Sequence, residues 1–164
     1  MTQNDNNHSL RKHLLYLLRG GGAHLSFDDF VNSFPADLCN RQIPGLPYTP
    51  WQVLEHMRVA QWDILEFSRD ANHVSPEFPK GYWPKPDDLG NTELWQKTIE
   101  QFRRDLQQME TLVEDESTDL HATIPHGDGQ TILREVLLIA DHNAYHLGLL
   151  TAMGRVLKSG AESK

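Results

Sequence analysis

Apolar residues return every three or four positions through several long stretches of this chain, the spacing that lines one face of an α-helix. Leu10, Leu14, Leu17 and Leu18 mark a first helix from His8 to Arg19, and Gly20, Gly21 and Gly22 supply its stop. Phe27, Phe30, Val31 and Phe34 give a short second piece, with Ser26 as cap and Asp28 and Asp29 in the first turn. RQIPGLPYTP then breaks regular structure with three prolines and a glycine. At TPWQ a long helix begins: Thr49 suits the N-cap, Pro50 the first helical position, and Gln52 completes a capping box. Its seam is Val53, Met57, Ala60, Ile64 and Phe67, at alternating steps of four and three.

Residues 72–91 carry prolines at 76, 79, 84 and 86, with Phe78, Tyr82 and Trp83 among them. They read as an ordered crossover whose aromatic rings pack onto the helices. Trp95, Ile99, Phe102, Leu106, Met109 and Val113 give the third long helix, ended by the acidic EDESTD. HATIPHGDGQT is a connection with room for one short extended piece. The last helix runs from Thr131 to Leu157. Ile132, Val136, Ile139, Asn143, His146, Leu150, Met153 and Leu157 form its seam, and Leu133, Leu137, Ala140, Ala144 and Leu147 a second apolar stripe. Two apolar sides predict a central helix. The pattern predicts an all-α protein, a four-helix bundle with long crossover connections. It is read as a single domain over residues 1–164 with its core at about 8–157.

Composition narrows the function. A chain of 164 residues holds one domain with a real core. Lys and Arg total 15 against 23 Asp and Glu, a formal net charge of -8, which argues against nucleic-acid binding because phosphates need a basic face. The start, MTQNDNNHSLRKH, lacks the apolar core of a signal peptide, and no run approaches the ~18 apolar residues of a membrane span. Cys39 is the one cysteine, which rules out an intramolecular disulfide framework, and nothing adjacent would activate it. The expectation is a cytoplasmic protein without a membrane partner.

The chemistry lies in DHNAYHLGLL. His142 and His146 are four residues apart on the last helix, so they differ by about 40° in direction and can close on one metal ion. Two ligands seldom make a stable site. His56, on the flank of the Val53–Met57–Ala60–Ile64 seam, is the best third, since bundle metal sites are built from facing helices. Three imidazoles leave a first-row divalent ion open positions for water or substrate, which favours catalysis over a purely structural role. The competing reading is three hydrogen-bonded core histidines. The run is not the H-E-x-x-H of a metalloprotease, because Asn143 stands where the general base would be.

Asp63 lies seven residues after His56 and Glu135 seven before His142, each within about 20° of its histidine. Either is a candidate second-sphere group that orients a ligand imidazole, or an ordinary partner for Arg58 or Arg134. Asp141 points about 100° from His142 and reads as a surface group. His126, in IPHGDG, reads as a solvated turn residue able to swing toward the site. His8, His13, His24, His73 and His121 have no usable spacing. No residue presents itself as a general acid or base.

WQVLEHMRVAQWDIL, the aromatic-proline crossover around GYWP, and TILREVLLIADHNAYHLGLL together resemble the DinB/YfiT-like superfamily of metalloenzymes, over residues 10–157. The resemblance implies a four-helix bundle with His56, His142 and His146 as ligands of a divalent ion, zinc or nickel, and often a homodimer. Relatives include S-transferases that use low-molecular-weight thiols and a thiol-dependent isomerase. The expectation is a metal-dependent transferase or small hydrolase that acts on a small-molecule substrate, activating a bound thiol or water at the three-histidine site. The alternatives are a non-catalytic metal-binding stress or interaction protein, and a metal-free bundle whose dimer surface is its function. After Met153 the chain reads GRVLKSGAESK, with no long extension to add substrate contacts.

Overall fold

The structure, a computed structural model, describes residues 3–162, with side chains over residues 5–160. Within them the chain is all-helical: α1 (Gln3–Leu18), α2 (Phe27–Ser33), α3 (Pro50–Arg69), α4 (Thr92–Glu114) and α5 (Ile132–Glu162). Short 3-10 turns lie at Ala36–Leu38 and Lys80–Tyr82. The extended piece expected between α4 and α5 is an isolated antiparallel bridge, Thr123 to Thr131.

The ends follow local chemistry. Ser26 caps α2 by accepting the Asp29 N–H, and Thr49 and Gln52 form both halves of the capping box on α3. Gln52 also pins the crossover to the start of α3, because its side-chain amide donates to the carbonyls of Lys85, Pro86 and Asp88. α1 stops where Gly20 turns to φ 71°, and the Gly21 N–H returns to the Tyr16 carbonyl at 2.8 Å. It starts at Gln3, ahead of the expected His8, because its first turns carry no apolar residue for periodicity to register; Asp5 suits the positive end of the helix dipole. α5 likewise runs beyond Leu157 to Glu162.

α3 packs against α4 and α5, and α1 also packs against α4 and α5. The core forms two apolar clusters. One gathers Phe30, Phe34, Trp51, Leu54, Met57, Trp95, Phe102, Leu150 and Met153. The other gathers Leu14, Leu18, Ile64, Leu65, Met109, Val113, Val136 and Ile139. The change from one to the other falls between Met57 and Ile64 on α3, and between Leu147 and Ile139 on α5. The two helices therefore run antiparallel, and at this waist Gln61 meets Asn143 at 2.8 Å.

Most of the expected seam positions are buried, with Phe67, Leu106, Asn143 and Leu157 among the half-buried ones and Leu17 on α1 exposed, but the second stripe of α5 is largely open. Leu147 is 5% exposed, whereas Leu137 is 46% exposed and Ala144 lies open. Leu137, Ala140 and Ala144 instead line a cavity of about 540 Å³ with Leu17, Phe27 and Leu106. α1 approaches α5 without closing over that side, so α5 is less central than its two apolar faces predict.

Arg11 is a buried cation on α1. Its guanidinium donates to the carbonyls of Val113 (2.6 Å), Asp115 (3.0 Å) and Thr118 (2.5 Å), where α4 ends. Main-chain carbonyls at a helix C-terminus lack intrahelical partners and carry the negative end of the dipole, so a cation satisfies them. Arg11→Ala removes three charge-assisted bonds and leaves buried acceptors unpaired. It should destabilise the fold by roughly 2–3 kcal/mol, read as a lower urea midpoint with helicity retained.

Candidate metal centre

The antiparallel register of α3 and α5 sets His56 opposite His142 and His146. The His56 Nε2 atom lies 3.2 Å from Nε2 of His146 and 3.1 Å from Nε2 of His142. One ring nitrogen from each residue falls within 4.8 Å of the others. His56 and His146 are buried and His142 is half-buried.

The crossover holds His56 in place. Its Nδ1 lies 2.9 Å from the Tyr82 carbonyl, which can only accept, so Nδ1 carries the hydrogen and Nε2 presents its lone pair. The next residue, Trp83, stacks flat on the imidazole, with centroids 3.7 Å apart and planes 5° from parallel. Tyr48 stacks on the far face of Trp83 at 3.9 Å. One contact fixes the rotation of the ring and the other its plane.

Asp63 and Glu135 reach the site differently from each other. Neither hydrogen-bonds one of the three imidazoles. Asp63 accepts the Tyr82 hydroxyl at 2.6 Å and lies 2.7 Å from Nε2 of His73. Its connection to His56 runs through Tyr82, whose main chain holds the imidazole while its side chain is anchored to α3. Burial, and then Asp63, push the Tyr82 hydroxyl up to about 12. Glu135, 2% exposed, takes Arg134 at 2.6 Å, the ordinary pairing. His126 lies 2.7 Å from the Phe67 carbonyl, tied to the end of α3, and Asp141 is exposed.

Tyr82 and Trp83 also belong to the site, since both touch His56, and spacing along the chain does not single them out. The pairing of GYWP with an ordered crossover is the available signal. A main-chain carbonyl, however, has no sequence signature.

The donor set fits a divalent ion. Zinc–nitrogen bonds of about 2.0–2.1 Å at tetrahedral angles place the nitrogens roughly 3.3 Å apart. Burial, and then the neighbouring imidazoles, push His142 and His146 down to about 4. Burial also lowers His56, opposed by the Tyr82 carbonyl. The imidazoles are thus neutral at physiological pH, the form that ligates.

An all-α domain with three convergent neutral imidazoles matches the kind of protein that the sequence resembles. The family model of the DinB superfamily matches residues 25–150, and the chain belongs to that superfamily. Curated proteins and solved structures give no significant match. No helix among the described residues is long and apolar enough to cross a membrane.

The depressed histidines have a consequence for the metal-free protein. Their folded values lie below the unfolded value of about 6.5, so the unfolded chain takes up protons first as pH falls. Stability present above about pH 6.5 should be lost progressively down to about pH 4. Urea midpoints of chelator-treated protein across this range check it: His142→Gln/His146→Gln protein should show a flatter slope.

Proposed function

We propose that the protein binds a divalent metal ion, zinc or nickel, through Nε2 of His56, His142 and His146. The bound ion serves a small-molecule reaction, either transfer involving a low-molecular-weight thiol or hydrolysis. The observation that carries the reading is the approach of the Nε2 atoms, at 3.1 and 3.2 Å, while His56 Nδ1 is already committed to a carbonyl. His56 Nε2 offers only a lone pair, and a cation among the three nitrogens would draw a bond from each. Membership of the DinB superfamily supports the same reading.

A divalent ion held there would supply Lewis acidity, lowering the pKa of a thiol or water. The chain's own residues prepare the place. Tyr82 and Trp83 hold His56 in one orientation, and burial keeps all three rings unprotonated. The stacked rings of Trp83 and Tyr48 cover one face of His56. A non-catalytic metal-binding role is favoured by one feature: no carboxylate among the described residues hydrogen-bonds the imidazoles, so no general base stands beside them. Thiol-transfer and hydrolysis panels with and without chelator separate the two.

The same reading makes the protein a cytoplasmic homodimer. Leu17 and Leu137, each 46% exposed, present apolar surface that a second copy would cover. Light scattering at micromolar concentration should give twice the 18.8 kDa chain mass.

His56→Ala, His142→Ala and His146→Ala should each weaken zinc binding by more than roughly a hundredfold in competition with a chromophoric chelator. His126→Ala should leave it unchanged. Helicity should survive, because the two apolar clusters are built without the histidines. A triple-alanine protein that still bound one equivalent with unchanged affinity would place the site elsewhere.

A further inference from the structure

The segment that follows α3 is fastened back onto that helix at two points, and both fastenings fall on one carboxylate. The Asp63 side chain is 10% exposed. Its Oδ1 meets Nε2 of His73 at 2.7 Å, and its Oδ2 accepts the Tyr82 hydroxyl at 2.6 Å. A carboxylate only accepts, so Nε2 of His73 carries a hydrogen. We infer that His73 and Asp63 are positioning residues for His56, acting in series through Tyr82. His73 holds the carboxylate, the carboxylate holds the phenol, and the phenol holds the main chain whose carbonyl orients the imidazole. This inference rests on the metal-site reading above.

The geometry joins every step. Asp63 stands two turns beyond His56 on the same face of α3, roughly 10 Å along the axis. Tyr82 spans that distance: its hydroxyl is on Asp63, and its carbonyl lies 2.9 Å from Nδ1 of His56. A side chain fastened at its far end leaves its own main chain little room to swing. The neighbouring Trp83 is thereby kept flat on the same imidazole, with centroids 3.7 Å apart.

His73 is set as firmly as the carboxylate it meets. Its side chain is 8% exposed, and its ring stands edge-on to Trp62, 5.1 Å away at 86°. With both oxygens of Asp63 engaged, the carboxylate has one rotation, the one that meets the phenol. Neither apolar cluster includes His73, Asp63 or Tyr82, so the chain of contacts is not part of the packing that holds the bundle. Its product is an imidazole oriented before an ion arrives, which spares metal binding the cost of ordering that ligand. Outer partners of ligating histidines typically account for about 10–100-fold in affinity.

The test joins zinc affinity, by competition with a chromophoric chelator, to long-range proton–nitrogen NMR of the His56 ring in chelator-treated protein. Wild-type His56 should carry its hydrogen on Nδ1. Tyr82→Phe keeps the ring and loses the hydroxyl; it should weaken zinc binding by about tenfold and mix the His56 tautomers. Asp63→Leu and His73→Leu should do the same, whereas Asp63→Asn, whose oxygen still accepts the hydroxyl, should recover most of the affinity. Residues acting in series are not additive, so Tyr82→Phe/His73→Leu should bind zinc no more weakly than the poorer single variant. Merely structural residues would lower the melting temperature without moving the tautomer, and their losses would add. Either of those results would overturn the inference, and so would unchanged zinc affinity in Tyr82→Phe. If Asp63→Leu fails to fold, the Tyr82→Phe and His73→Leu pair decides. Wild-type protein that binds no zinc would sink the metal-site reading, while the His56 tautomer in Tyr82→Phe would still decide whether His56 is held in this way.

Discussion

The antiparallel crossing of α3 and α5 is the constraint on which the site depends. Helices pack through their apolar seams, and the two core clusters fix how far each is turned and slid against the other. With that register set, His56 must fall opposite His142 and His146, although about ninety residues of chain separate them. A rotation of either helix by one residue would swing its imidazoles by about 100° and scatter them. The apolar clusters hold the register and leave the waist between them to polar side chains. Gln61 and Asn143 occupy that waist beside the histidines.

The crossover between α3 and α4 is a working wall. Prolines stiffen it, Gln52 ties its end to the α3 cap, and Asn40 accepts the Gly90 N–H at 2.8 Å. Gly90 has to be glycine, since a Cβ there would collide with the Trp51 ring. Anchored in this way, the segment delivers the Tyr82 carbonyl and the Trp83 ring to the same imidazole. Asp63 closes the loop by taking the Tyr82 hydroxyl and contacting His73, so α3 both bears His56 and secures what orients it.

Burial does opposing things at this place. It keeps the histidines neutral and ready to ligate, and in acid it sets them against the folded state. The apolar clusters above and below the waist offset that cost. The protein accordingly keeps its helices by hydrophobic packing, and the histidine cluster contributes little to the fold.

Much of this was legible in the sequence, because helix signals are local. The Thr49–Pro50–Gln52 start, the Gly20 stop and the four-three spacing of the seams act within a few residues, and the helices follow them. The pair His142 and His146 was legible for the same reason, since four residues on one helix set their separation. His56 was reachable by its position on a seam flank, though only the crossing of two helices could bring it within 3.2 Å. The rest belonged to tertiary structure. Period alone could not say that Leu137 would stand half in solvent, because its burial depends on how closely α1 approaches. Nor could it send Asp63 to Tyr82 and Glu135 to Arg134, although both carboxylates share a helical face with a histidine. Hydrogen bonds require atoms within about 3 Å of one another. Between distant segments, that proximity exists only once the chain has packed.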